Sequence, residues 1–196
     1  MTRVITHLSL ILDRSGSMRT IDVTFLQGAV ELVDGLSDSD ELRITLFATE
    51  AHVGGIQSVE SARATLNALV PPNGSTRLYD TIAEVMSLEE DDSKKYIYAI
   101  VTDGLDNASM VHTRASVQSI IQATKEKGAT VLFVGANMDA PAVAQSLGIS
   151  TSDALTFAPS QEGAYKAMRS LSAAVQRTVS MEPSGFLPSE RAESLA

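Results

Sequence analysis

The feature of this 196-residue sequence that most constrains its fold is the alternation of short apolar segments with longer segments of helical periodicity. Strand-like segments, rich in leucine and β-branched residues, occupy residues 4–12, 42–47, 51–56, 96–101, 130–134 and 155–157. Helical spacing of apolar residues predicts helices at residues 21–35, 58–69, 78–88, 113–127, 140–147 and 162–179. Strands that alternate with helices form βαβ units. The sequence therefore predicts an α/β fold with a doubly wound, mainly parallel six-stranded sheet and helices on both faces.

The length of the chain fits one domain, which we predict over residues 1–180. Residues 181–196 contain Pro183 and Pro188 and few apolar side chains, so we predict a flexible C-terminal tail there. The absence of cysteine excludes disulfides, zinc ribbons, iron–sulfur clusters and thiol nucleophiles. We find neither a secretory signal pattern nor an apolar run of the roughly 20 residues that span a membrane, and we expect a cytoplasmic protein without a membrane partner.

The charge of the chain is acidic, with 24 Asp and Glu residues against 15 Lys and Arg residues and a net charge of -9. Nucleic acids and anionic membranes bind clustered basic residues, so neither is an expected partner. Residues 34–41 and 89–95, two predicted helix-to-strand connections, together hold -6 of this charge. The loops expected at the opposite edge of the sheet contain Arg14, Arg19, Arg77 and Arg114. We expect that opposite edge to be neutral or positive, and to attract an acidic partner more weakly as salt increases.

Three polar motifs fall where the carboxyl ends of parallel strands are expected to meet: Asp13-Arg14-Ser15-Gly16-Ser17, Asn73-Gly74-Ser75-Thr76 and Thr102-Asp103-Gly104. Ligands of doubly wound sheets bind at this edge. The motifs offer two carboxylates and three hydroxyls, which are hard oxygen donors suited to Mg²⁺, Mn²⁺ or Ca²⁺. Because two carboxylates just neutralise a divalent ion, the ion would keep affinity for another anionic oxygen, such as an Asp or Glu side chain of a partner protein.

The five candidate ligands resemble a known motif. Asp13-x-Ser15-x-Ser17, followed by Thr76 in GSTRLYD and Asp103 in VTDG, is similar to the metal-ion-dependent adhesion site (MIDAS) of von Willebrand factor type A (VWA) domains. The resemblance implies a Rossmann-like sheet with one antiparallel edge strand, here residues 51–56. It also implies that the five residues surround one divalent ion, Mg²⁺ first among them, some directly and others through water, with a protein ligand completing the sphere. The sequence segments LDRSGSM and GSTRLYDTI are more similar to those of intracellular bacterial and phage-type members than to those of integrin I domains.

Four further polar residues near these motifs have less specific interpretations. Asp80 lies in the first turn of a predicted helix, where an acidic residue is favourable without any function. Asp106 and Asn107 are either groups that surround the site or ordinary turn residues, and we do not count Asp80 or this pair among the ligands. His112 is interpreted as a surface histidine, as are His7 and His52.

These motifs favour a non-enzymatic, metal-dependent protein-binding module. The alternative is a hydrolase or phosphoryl-transfer enzyme that uses the same ion, for which His112 is the one nearby candidate base. A third interpretation is that the site is degenerate and that the fold is retained only for assembly with other proteins. The sequence has no GxSxG or HExxH motif, and no GxGxxG follows the first strand, which argues against nucleophilic catalysis and dinucleotide binding.

Overall fold

The computed structural model describes residues 4–69, 71–88, 91, 93–180, 182 and 185–195. The strands are β1 (Thr6–Asp13), β2 (Glu41–Phe47), β3 (Ala51–Gln57), β4 (Lys95–Thr102), β5 (Thr130–Ala136) and β6 (Ala154–Phe157). The helices are α1 (Asp22–Asp34), α2 (Val59–Asn67), α3 (Leu78–Met86), α4 (Arg114–Glu126), α5 (Ala140–Ser146), α6 (Gln161–Val179) and α7 (Pro188–Leu195). Within the described ranges, no helix has both the length and the apolar character that crossing a membrane requires.

The six strands form one sheet in the order β3-β2-β1-β4-β5-β6. All neighbouring pairs are parallel except β2 and β3, which pair antiparallel at one edge. This arrangement confirms the predicted doubly wound α/β fold and its antiparallel edge strand. Strand order reverses between β1 and β4, and at such a switch point the loops after the two strands diverge and leave a crevice.

The sheet separates two apolar layers, and alternation along β1 supplies both of them. Leu8, Leu10 and Leu12 pack with α1, α2 and α6, whereas Ile11 packs with α3, α4 and α5. Side chains of a strand alternate between its faces, so Asp13 shares the face of Ile11. Every residue of β1 is buried, as expected for a central parallel strand, and this burial extends to the polar residue at its carboxyl end.

Over residues 185–195 the C-terminal segment differs from the flexible tail that we predicted for residues 181–196, of which 181, 183, 184 and 196 lie outside the described residues. Over residues 185–195 the structure shows an ordered segment ending in α7. The Arg177 guanidinium donates to both carboxylate oxygens of Glu190, at 2.9 and 2.8 Å. The buried Ser194 hydroxyl donates to the Thr156 carbonyl of β6 at 2.7 Å, and Phe186 joins the layer formed by α1 and α6. Composition did not reveal this docking because it depends on polar contacts and a single aromatic side chain.

Replacing Phe186 by alanine is expected to lower the free energy of unfolding by about 2 kcal/mol, the value of burying one phenylalanine side chain. The neighbouring Leu187 is 48% exposed and gives a matched control, for which Leu187→Ala should cost less than about 0.5 kcal/mol. Urea unfolding of the two variants measures the difference. Equal values near zero would mean that the segment does not dock in solution.

Candidate metal centre

The loop after β1 is turned sharply by the side chain of Asp13. Its Oδ1 accepts the Ser15 backbone N–H at 2.7 Å, an Asx-type turn that reverses the chain at the end of the strand. Residues Gly16–Thr20 then form a short 3-10 turn. As a result the two serine side chains lie on the same side of the loop, with 3.1 Å between Ser15 Oγ and Ser17 Oγ.

The end of β4 joins this loop from the neighbouring strand. Thr102 Oγ1 donates to Asp13 Oδ2 at 2.6 Å, and Ser17 Oγ donates to Asp103 Oδ1 at 2.6 Å. Leu12 pairs with Val101 in the sheet, so Asp13, the last residue of β1, and Asp103, the residue after β4, lie at the same end of two adjacent parallel strands. The predicted convergence of Asp13, Ser15, Ser17 and Asp103 at one edge of the sheet is therefore what the structure shows.

Thr76 reaches the same place from the loop before α3. Gly16 N donates to Gly74 O at 3.0 Å, which fixes this loop against the serine loop. A methyl group at Gly104 would lie 3.3 Å from Thr76 Oγ1, so the threonine hydroxyl faces the residue after Asp103. The structure thus brings all five candidate ligands together.

Gly74 is the one position in these loops whose conformation requires glycine. Its φ is +89°, in the region that side chains disfavour, and a Cβ there would lie 2.5 Å from Thr49 Oγ1. The same Thr49 hydroxyl accepts the Ser75 N–H at 3.0 Å. Gly74 therefore lets the loop pass close enough to the β2–β3 turn to deliver Thr76.

The carboxylates of Asp13 and Asp103 are buried, where a negative charge is energetically unfavourable. Burial raises the pKa of Asp13, hydrogen bonds from Thr102 and Ser15 partly offset this, and the nearby Asp103 charge adds to the rise. Burial also raises the pKa of Asp103, against the hydrogen bond from Ser17. Buried charge is stabilised by pairing or by a metal ion. A divalent cation placed among these oxygens would supply that compensation.

The donor set fits a hard cation. Among the described residues, no three His, Cys, Asp or Glu side chains lie close enough together to hold a metal. An ion at this edge would therefore be bound by the two carboxylates together with hydroxyl oxygens. Asp13, Ser15, Thr76 and Asp103 are all at most 5% exposed, whereas Ser17 is exposed, so the site opens toward solvent on the Ser17 side.

Asp106 and Asn107, which sequence reasoning left open, support Thr76 and α3 by hydrogen bonds. Asn107 Oδ1 accepts the Thr76 N–H at 2.8 Å, and the Thr76 carbonyl accepts the Asn107 N–H at 2.9 Å. Asp106 Oδ1 accepts the Tyr79 N–H at 3.1 Å, at the first turn of α3. Both residues thus position backbone around the site.

Asp80 secures the rest of the loop after β4. Its carboxylate accepts the backbone N–H groups of Met110, Val111 and His112 at 2.9, 3.1 and 2.7 Å, and Arg77 Nε at 3.0 Å. Burial would raise the pKa of Asp80, but these hydrogen bonds together hold it below its ordinary value. The sequence signal for this role was only an acidic residue in the first turn of a helix, because its partners are backbone groups 30 to 32 positions away.

The arginines expected at this edge are partly neutralised. The Arg14 guanidinium pairs with Asp22, and Arg77 pairs with Asp80 at 3.0 Å. Arg19 Nε donates to the Pro72 carbonyl at 2.8 Å. Arg14 and Arg77 therefore add little net positive charge to this edge. A positive potential there would have to come from other basic residues.

Comparison with known proteins locates the similarity in the fold. No protein-family model matches the sequence, and no curated protein matches it in sequence. The mussel byssus protein PTMP1, solved with zinc in its MIDAS motif, matches with a TM-score of 0.72 and 17% identity over 88% of this chain and 48% of that chain. A von Willebrand factor type A structure from Catenulispora acidiphila matches with a TM-score of 0.68 and 20% identity, over 87% and 42% of the two chains.

BatB from Bacteroides thetaiotaomicron matches with a TM-score of 0.67 and 17% identity, over 90% of this chain and 100% of that one. This chain spans about half the length of the byssus protein. At these identities the similarity concerns architecture alone. The chain has the VWA fold that the sequence motifs implied.

Proposed function

We propose that this chain is a metal-dependent protein-binding module. Asp13, Ser15, Ser17, Thr76 and Asp103 hold one divalent cation, directly or through water, and the cation accepts an acidic side chain of a partner protein. The observation that carries the proposal is the convergence of two buried carboxylates and three hydroxyls from three separate loops. The zinc-occupied MIDAS of the similar byssus protein supports binding of a divalent ion in this fold.

The arrangement of the oxygens favours a partner's carboxylate as the remaining ligand. The two aspartates balance the charge of a divalent ion, and hydroxyls are weak donors, so the bound ion supplies an electrophilic position open to another anionic oxygen. Ser17, the exposed member of the set, marks the side from which a partner reaches it. Mg²⁺ is our first choice because carboxylate, hydroxyl and water oxygens are its usual ligands, with Mn²⁺ or Ca²⁺ as alternatives.

A hydrolase or phosphoryl-transfer role has less support. It requires a base beside the ion, and the candidate His112 contacts Ser116 Oγ at 3.4 Å through its ring Nδ1. That contact places the imidazole at the start of α4. The backbone N–H of His112 donates to the Asp80 carboxylate. We therefore propose a non-enzymatic role. The cytoplasmic location and the intracellular bacterial type stay predictions.

The test is capture of partner proteins from a lysate on immobilised protein, with Mg²⁺ and with EDTA, using wild type, Asp103→Asn and Asp38→Asn. Asp38 is exposed in the connection between α1 and β2, at the opposite edge, so its variant matches the charge change away from the site. We expect proteins that bind in Mg²⁺ to wild type and Asp38→Asn, and that are lost with EDTA or Asp103→Asn. Retention of the same proteins in all conditions would rule out binding through a metal.

A further inference from the structure

A cavity of about 330 Å³ lies beside the candidate metal centre, and none of the five candidate metal ligands lines it. We call it the β2 cavity, because it lies between the end of β2, the turn into β3 and the loop before α3. Its apolar wall is formed by Leu46, Phe47, Ala48, Leu69 and Pro71. Its volume is within the range of about 300–1,000 Å³ in which proteins bind small ligand groups.

The wall of the β2 cavity is continuous with the loops that carry the candidate ligands. Arg14, Asn73 and Gly74 also line it. Arg14 N donates to Phe47 O at 2.7 Å, and Gly74 O accepts the N–H of Gly16, the residue between Ser15 and Ser17. The cavity wall is thus hydrogen-bonded directly to the loop that carries the two serine hydroxyls.

The lining indicates an apolar occupant. Leu46 and Leu69 pack against the core but stay partly exposed at this cavity. The polar part of the lining comes from Arg14, Glu50 and His52, and the Arg14 guanidinium is paired with Asp22 outside the lining. An apolar side chain that enters the cavity would gain the free energy of leaving water without displacing an ion pair.

The spacing indicates how one partner segment reaches both places. Successive residues of an extended chain are about 3.3 Å apart and their side chains alternate between the two faces, so side chains two positions apart lie on one face, roughly 7 Å from each other. Resting on the proposed function, we propose that the partner carries an apolar side chain two residues from the residue whose carboxylate binds the ion. This side chain occupies the β2 cavity, and the partner is recognised by an acidic–apolar pair instead of by an acidic residue alone.

The experiment uses simple carboxylates as probes of the two parts. Full-length protein saturated with Mg²⁺ is titrated with acetate, propanoate, butanoate and 4-methylpentanoate, and binding is followed by amide NMR shifts. The carboxylate tests the metal, and the tail tests the cavity. We expect affinity to rise about fourfold with each buried methylene. The longer probes should shift the amides of Ala48 and Gly74, and EDTA should abolish binding of all four.

A cavity-filling variant and a matched control complete the test. Ala48→Leu should reduce the preference for the long probe to less than about twofold and leave acetate affinity unchanged. Ala123→Leu, an equal enlargement at an exposed position of α4, should change neither. The probe series on wild type decides the question even if Ala48→Leu does not fold.

The outcomes separate this inference from the proposed function. Mg²⁺-dependent binding with equal affinity for all four carboxylates would overturn the cavity assignment and leave the metal-dependent module intact. Binding of the long probe that survives EDTA would overturn the coupling of cavity and ion. If the protein bound no Mg²⁺, or bound no carboxylate in the presence of Mg²⁺, the proposed function would be overturned and this inference with it.

Discussion

Asp103→Asn is expected to remove most of the stabilisation of the fold by Mg²⁺ while leaving the metal-free protein at least as stable as wild type. At a Mg²⁺ concentration 100 times its dissociation constant, a ligand that binds only the native state adds about 2.7 kcal/mol to the free energy of unfolding. The variant lacks one of two carboxylates, so we expect at least about 100-fold weaker Mg²⁺ binding and a stabilisation of at most about 0.4 kcal/mol at the same Mg²⁺ concentration.

The expected behaviour without metal has the opposite sign for a physical reason. Burial raises the pKa of Asp103, which means that the folded protein disfavours its charged form. The Asp103 charge also raises the pKa of the buried Asp13. A neutral amide removes both costs, and its carbonyl oxygen can still accept the Ser17 hydroxyl that is 2.6 Å from Asp103 Oδ1.

Urea unfolding with Mg²⁺ and with EDTA measures both parts of this prediction. Asp38→Asn, at the opposite edge, should respond to Mg²⁺ as wild type does. If Asp103→Asn retained the full Mg²⁺ stabilisation, the ion would be bound elsewhere. If it were strongly destabilised in EDTA, Asp103 would serve mainly to hold the loops together.

Sequence patterns were sufficient for the fold and for the place where the oxygen donors meet. The ends of the two central strands were visible in the change from apolar residues to polar ones, where LSLIL ends at Asp13 and where YIYAIV ends at Thr102. Once strand ends are known, the parallel sheet brings Asp13 and Asp103 to one edge without further information. The positions of the candidate ligands could therefore be predicted from local signals and topology.

The groups that hold those loops in place could not be predicted in the same way. Asn107 and Asp80 act on backbone N–H groups, which every residue carries, so the sequence gives no complementary signal at the partner position. The docking of α7 was missed for a related reason, since Arg177 and Glu190 resemble any exposed pair until the chain is folded. The β2 cavity depends on side chains that do not quite fill the space between elements, and periodicity carries no such information.

The largest loss of stability is expected for Asp80→Ala. The substitution leaves Arg77 and the three backbone N–H groups of Met110, Val111 and His112 without their acceptor, at a position that is 2% exposed. Hydrogen bonds to a charged group contribute about 1.5–3 kcal/mol each in favourable cases, and breaking a buried ion pair costs about 3–5 kcal/mol. We expect the free energy of unfolding at pH 7 to fall by about 4 kcal/mol.

Glu84→Gln is the matched control, because Glu84 also lies near Arg77, at 4.0 Å, but its side chain is 49% exposed. A surface pair of this kind should change stability by less than about 0.5 kcal/mol. Asp80→Ala should also weaken Mg²⁺ binding several-fold, because the loop from Asp106 to His112 fixes Thr76 through Asn107. Equal stability of the two variants would show that the loop is held by other contacts.

The pH dependence of the unfolding free energy of Asp80→Asn provides a second measurement. This substitution keeps the size and shape of the side chain. Hydrogen bonds hold the pKa of Asp80 below its ordinary value of 3.8, so its contribution is fully present above that value. The contribution is lost as the pH falls through the lowered pKa, because the folded protein must then bind a proton. The difference in unfolding free energy between wild type and Asp80→Asn should therefore be constant from pH 7 to about 5 and shrink below about pH 4. A difference that grew on acidification would mean that the carboxylate is protonated, and not charged, in the native protein.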